Sequence, residues 1–304
     1  MEKFEINILG CGSATPTLQH LPSSQVVNIR EKLFMIDCGE GAQLQFRKMR
    51  LKFSRLNHIF ISHLHGDHCF GLIGLISTLA LLGRTGDLTI YSPEGLEELL
   101  KPQLDYFCKD NPFAVIFNTF GTSESELIYE DRSITVHTIP LKHRIPCAGF
   151  LFREKPRDAN IIPEKINFYN IPVKEIAKIK QGADFITPEG VIVPHEQLTK
   201  PAQAARAYAY CSDTAYNKSI VPLLANVDLL YHEATFGEDH LSRAKMTGHS
   251  TASQAAQIAK QAEVKKLMIG HFSSRYTDND ILRQEAANIF PNTKLANEGL
   301  CEKL

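Results

Sequence analysis

Apolar and polar positions alternate from Phe4 through Ile8, with Glu5 and Asn7 opposite Ile6, which predicts a strand over residues 4–9. Residues 26–29 and 32–36 read as a hairpin ending at Asp37, and 59–61 as a short buried strand. Leu72, Ile73, Leu75, Ile76 and Leu79 then recur at helical spacing. A strand at 88–91 precedes a helix over 94–107 that tolerates Pro102, followed by strands at 114–120, 127–129 and 134–139. Strand patterns return at 207–210, 227–231 and 266–269, with a helix capped by Ser250 or Thr251 and another over 281–290. Both halves mix strands with helices, so the pattern predicts two packed sheets between helical layers, an α/β (α+β) sandwich.

Residues 153–200 break this rhythm. Prolines at 156, 163, 172, 188 and 194 punctuate a polar, slightly basic stretch holding a short helix and a hairpin-like segment at 182–193. It is expected to protrude as an arm inserted into a single domain spanning 1–304.

Composition narrows the class. With 43% hydrophobic and 22% charged residues in 304, the chain has a sizeable core and globular character. No basic, apolar leader opens the chain and no run is long enough to span a bilayer, so no membrane association is expected. Seven cysteines without a CxxC pair predict a reducing, cytoplasmic setting in which they pack rather than pair. A net charge of −1 gives no global sign of nucleic-acid binding.

The chemistry concentrates at His63, His65, Asp67 and His68. Three imidazoles and a carboxylate in six residues are costly unless something binds them. His63 and His65 leave a strand end on the same side, while Gly66 lets Asp67 and His68 turn toward a second point. That arrangement suits two divalent metals with nitrogen and oxygen ligands. Strand patterns also run out at Asp37, His143, Asp213, His232 and His271, which places metal-competent residues on one shared rim. Asp37 either orients a histidine ligand or serves the turn. The glycine-rich segment 10–16 has neither dinucleotide nor P-loop spacing and reads as a tight loop beside the metals. Five basic residues between 47 and 55, with no acid from 41 to 66, form either a solvated helix face or a phosphate contact.

These residues resemble the metallo-β-lactamase superfamily and, within it, the short bacterial-type form of the ribonuclease Z family. The more specific carriers are Asp37-Cys-Gly-Glu-Gly, Pro140-Leu-Lys-His143, His232-Glu-Ala-Thr, Gly248-His-Ser-Thr and the arm, whose usual Gly-Pro pair appears as Ile171-Pro172. The resemblance implies an αββα sandwich and a hydrolase, a zinc-dependent tRNA 3′-processing endonuclease that leaves a 3′-hydroxyl on the tRNA and a 5′-phosphate on the trailer. It implies two zinc ions per subunit, or manganese in their place. His63, His65, His143 and Asp213 would hold one, and Asp67, His68, Asp213 and His271 the other. It further implies Asp67 as proton acceptor, Glu233 and His249 as the pair serving the leaving group, precursor tRNA as partner, the arm as a tRNA-binding exosite, and a homodimer. Two rival readings remain at this stage: another phosphodiesterase or small-ester hydrolase of the superfamily, which needs no arm, and a non-catalytic metal-stabilised RNA-binding protein.

Overall fold

The computed structural model describes residues 2–15 and 17–304; Pro16, part of the expected glycine-rich loop, lies outside the described residues, as does Met1. Two compact units emerge, one formed by 1–153 and 206–304, the other by 154–205.

In the first unit, β1 (Phe4–Gly10), β2 (Ser24–Ile29), β3 (Lys32–Ile36), β4 (Leu56–Phe60), β5 (Leu88–Ser92) and β6 (Val115–Thr119) form one sheet. The helices α1 (Ala42–Lys48), α2 (Gly66–Cys69), α3 (Leu72–Leu81) and α4 (Leu96–Phe107) interleave with them. The second sheet begins with β7 (Leu127–Glu130), β8 (Ile134–Pro140) and β9 (Ala148–Glu154).

The second unit follows. Its strands β10 (Asn160–Ile161) and β13 (Thr199–Lys200) pair, as do β11 (Phe185–Ile186) and β12 (Ile192–Val193). With α5 (Pro163–Phe168), α6 (Val173–Lys180) and α7 (His195–Leu198) they enclose a small core of Ile171, Ile179, Phe185, Val193 and Leu198. The arm therefore has more order than its composition predicts: three short helices where one was expected, and a true hairpin within 182–193.

The chain then completes the second sheet with β14 (Ala207–Cys211), β15 (Leu229–Glu233), β16 (Leu267–Gly270) and β17 (Thr293–Leu295), and β18 (Cys301–Lys303) returns to the edge of the first beside β1. Between them lie α8 (Leu241–Thr247), α9 (Ala252–Gln261) and α10 (Asp280–Ala287). Each sheet has seven strands, with orders β18-β1-β2-β3-β4-β5-β6 and β17-β16-β15-β14-β9-β8-β7.

Strand alternation explains the layering. On β3, Phe34 and Ile36 face the inter-sheet core with Phe60, Phe150, Phe152 and Tyr208, while Leu33 and Met35 face a second core with Phe46, Leu75 and Leu79. Alanines 255, 256 and 259 of α9 cover the outer face of the second sheet. The result is the expected αββα order. Thr251 caps α9 in a full capping box with Gln254. The β2–β3 turn departs from the usual chemistry, because Arg30 and Glu31, not Asn-Gly, take the left-handed conformation at φ 51° and 68°.

Candidate metal centre

The chain turns abruptly where strands end on one rim. Asp37 after β3, Asp213 after β14 and His271 after β16 all adopt left-handed backbone, at φ 54°, 49° and 60°. Such conformations are uncommon outside glycine and persist where surrounding contacts hold them. Here they turn three polar side chains into one buried cluster. His63 and His65 leave the end of β4, Asp67 and His68 lie in α2, and His143 follows β8.

Two groups of donors result. His65 Nδ1 lies 3.0 Å from His63 Nε2 and 3.3 Å from His143 Nε2, and Asp213 Oδ2 is 3.6 and 3.7 Å from the latter two. The other oxygen of Asp213 lies 3.2 Å from His68 Nε2 and 3.1 Å from His271 Nε2. Asp67 Oδ2 completes that second group at 3.3 and 3.6 Å from the same nitrogens. All seven ligand candidates thus meet, with Asp213 dividing its carboxylate between the groups.

The donor set fits metal. Ligands about 2.0–2.1 Å from a tetrahedral zinc lie about 3.3 Å apart, the spacing seen in both groups. Nε2 of His68 and of His271 are buried without a hydrogen-bond partner, a costly state that an ion would relieve. Every imidazole but His65 engages its second nitrogen: His63 Nδ1 with Ser62 Oγ at 2.9 Å, His68 Nδ1 with Asp37 at 2.7 Å, His143 Nδ1 with the Gly248 carbonyl at 2.9 Å and His271 Nδ1 with Thr235 Oγ1 at 2.9 Å. Such contacts fix the tautomer that leaves Nε2 to the ion. Gly248, left-handed at φ 75°, closes α8; a Cβ there would sit 3.2 Å from His143 Nδ1.

The electrostatics follow from burial. Desolvation holds His63 well below the usual imidazole range. It opposes ionisation of Asp67 and Asp213, yet the surrounding imidazoles hold both carboxyls well below their usual range. Beside the ligands, His249 Nδ1 meets Glu233 Oε1 at 2.8 Å. Burial lowers the His249 pKa, but the Glu233 carboxylate outweighs it and pushes the imidazole up to about 9. Glu233 is itself fixed by the Thr214 and Thr235 amides and by the Thr235 hydroxyl at 2.6 Å. His249 stands 5.1 Å from the His143 ring and 5.3 Å from that of His271, next to both groups.

His232 does not join the rim. It lies within β15, buried, with Nδ1 bonded to the Glu233 carbonyl at 2.7 Å; its neighbour Glu233 reaches the site instead. The basic run at 47–55 precedes β4 whereas His63 follows it. A strand of five residues, about 16 Å, separates them. Three contributors carry no role in the sequence reading: Ser62, Thr235 and Tyr210, whose hydroxyl reaches Asp37 at 2.7 Å. Ser62 and Thr235 adjoin motif residues and could have been weighed, but Tyr210 looks like any core strand residue.

The family model described as Anti-Pycsar protein Apyc1 matches residues 4–160. The chain is 64% identical over 301 residues to a protein named Ribonuclease Z from Bacteroides thetaiotaomicron, covering 99% of this chain and 95% of that one. It is 59% identical over 300 residues to the Ribonuclease Z of Parabacteroides distasonis, with 99% of each covered. Among solved structures, the short form of human tRNase Z superposes with a TM-score of 0.71 at 26% identity over 98% of both chains. The metallo-β-lactamase fold protein YhfI from Bacillus subtilis superposes with a TM-score of 0.69 at 20% identity over 100% of both, a likeness of fold.

Proposed function

This chain belongs to the ribonuclease Z family, and through residues 4–160 to the family described as Anti-Pycsar protein Apyc1, and from that premise we propose that it removes the 3′ trailer of precursor tRNA with two zinc ions at the divided cluster. It is a metal-dependent endoribonuclease of tRNA 3′-end processing. The observation that carries the two-ion reading is Asp213, whose two oxygens face separate donor groups.

One zinc would be held by His63, His65, His143 and Asp213 Oδ2, the other by Asp67, His68, His271 and Asp213 Oδ1. Five imidazoles among seven ligands favour zinc over manganese. Bound there, the ions supply Lewis acidity, easing deprotonation of water and offsetting phosphate charge.

The remaining steps fall to the chain's own residues. Asp67 engages the second donor group through Oδ2, and its other oxygen orients the attacking water and accepts its proton. His249, cationic at neutral pH beside Glu233, donates a proton to the departing O3′. The tRNA keeps a 3′-hydroxyl and the trailer a 5′-phosphate.

The arm is the element proposed to grip tRNA, since Phe168, Val173, Ile186 and Ile192 are exposed on it. A homodimer is proposed through α1–α3, where Leu44, Phe70 and Leu81 are exposed and Gln43 of α1 bonds Thr78 of α3. A cytoplasmic setting is supported by seven free cysteines, and among the described residues no helix is long and apolar enough to cross a membrane.

The test is cleavage of a precursor tRNA with zinc, mapping both new ends, beside hydrolysis of bis(p-nitrophenyl) phosphate. We expect one cut leaving a 3′-hydroxyl, and a loss of about 100-fold or more in kcat for Asp67→Ala. Rapid ester hydrolysis with the precursor untouched would overturn the reading in favour of another phosphodiesterase.

A further inference from the structure

The metal ligands open into a cavity of about 440 Å³. Its only acidic lining groups among the described residues are Asp67 and Asp213, both already engaged in the donor groups. Every other charged side chain on its wall, the histidines of the site aside, is an arginine: Arg144, Arg243 and Arg275.

These three come from separate elements. Arg144 follows His143 in the loop after β8, Arg243 belongs to α8, and Arg275 lies four residues beyond His271 in the loop after β16. All three are exposed, and no guanidinium among them makes a hydrogen bond or ion pair within the chain among the described residues. Elsewhere arginines find acids readily, as Arg283 does with Asp280 and Arg55 with Glu31. Hydroxyls of Ser13, Thr15 and Ser273 share the wall. Arg144 stands beside the proposed proton donor: its Cγ would be 3.6 Å from a Cβ on Gly248, and its charge lowers the His249 pKa.

We infer that Arg144, Arg243 and Arg275 form a subsite for the RNA phosphates on either side of the scissile one. The inference rests on the endonuclease reading and deepens it. The scissile phosphate lies over the metal ligands, so cations around the mouth meet its neighbours along the strand. Guanidinium suits this task because it stays charged and offers paired N–H donors to phosphate oxygens. Arg144, next to His249, takes the phosphate on the tRNA side, where the leaving oxygen departs. The subsite therefore distinguishes a polynucleotide from a lone phosphodiester, which has no flanking charge to offer.

The experiment compares Arg144→Ala, Arg243→Ala and Arg275→Ala with wild type on a precursor tRNA and on bis(p-nitrophenyl) phosphate, with zinc content and thermal midpoint recorded for each. Each variant is expected to raise the precursor KM about tenfold, with kcat within about threefold, the loss of one charged hydrogen-bonding partner. The slope of log(kcat/KM) against log salt should flatten by about 0.7 for each arginine removed. The precursor-to-ester ratio of kcat/KM falls accordingly, and Arg→Lys recovers part of it. A precursor carrying one uncharged methylphosphonate on the tRNA side of the cut should impair wild type as Arg144→Ala does, and impair that variant no further.

Unchanged precursor KM and salt slope would overturn the inference while leaving the endonuclease reading intact. Equal losses on both substrates would also overturn it, by placing the arginines in the metal centre or the fold. Failure of wild type to cleave any precursor would remove the endonuclease reading and this inference with it.

Discussion

Tyr210 of the second sheet donates its hydroxyl to Asp37 of the first at 2.7 Å, and the same carboxylate oxygen meets His68 Nδ1 at 2.7 Å. A bond between sheets thus reaches through one carboxylate to a ligand nitrogen. Ser62 adds its amide and hydroxyl to Asp37 at 2.8 and 3.0 Å, so the carboxylate is held from both sides. Tyr210→Phe should lower unfolding free energy by about 1–2 kcal/mol, the cost of leaving a buried acceptor short of a donor. It should also weaken zinc binding about tenfold or more, as loss of outer contacts to ligands does. Denaturant titration of the metal-free protein and a chelator competition separate the two effects.

The divided Asp213 makes zinc binding differ among ligand variants. His143→Ala should lose one zinc per chain and His271→Ala the other, while Asp213→Asn weakens both. Atomic absorption after dialysis against dilute zinc reads the stoichiometry. Removing metal by chelator should also lower the thermal midpoint, because ions that bind only the folded state stabilise it by mass action.

His58 governs a separate dependence on pH. It sits between Phe34 and Tyr129, with ring centroids at 5.7 and 4.6 Å, and burial lowers its pKa to about 4 against partial opposition from Asp131. The unfolded chain takes up this proton near pH 6.5, the folded one only near 4. Stability contributed here is present above about pH 6.5 and lost as pH falls toward 4. Allowing for partial exposure, the loss is on the order of 1–2 kcal/mol. Urea unfolding from pH 7 to 4 should show a shallower fall in His58→Phe than in wild type.

The arm is expected to matter for tRNA and not for phosphodiester chemistry. Replacing 155–200 by a short glycine-serine linker should raise the precursor KM by about tenfold or more, while bis(p-nitrophenyl) phosphate is still hydrolysed. The separate core of Ile171, Ile179, Phe185, Val193 and Leu198 makes such a replacement conservative toward the first unit. Parallel steady-state kinetics on the two substrates read the difference.

Much of this was legible along the chain, for reasons that are local. His63, His65, Asp67 and His68 lie within one loop and α2, so their spacing fixes their proximity. His143, Asp213 and His271 each follow an apolar strand, and strands ending on one rim bring such residues together. The same rule failed at His232, since the strand continues two residues beyond Tyr231, to Glu233, and alternation turns Glu233, not His232, toward the site. Tyr210 gave no signal because its partner is 173 positions away and its setting is an ordinary buried strand. β9 was missed because its apolar run does not alternate, and β18 because three largely polar residues resemble a tail. The second compact unit spans 154–205. The basic run at 47–55 adjoins the ligands in sequence but is separated from them by β4.

The most direct measurement follows precursor tRNA cleavage as metal-free protein receives zero, one and two equivalents of zinc per chain. We expect no cut without zinc, cleavage rising to its full rate with the second equivalent, and a 3′-hydroxyl on the tRNA product. Full cleavage by the stripped protein, or an intact precursor with both equivalents bound, would contradict this expectation.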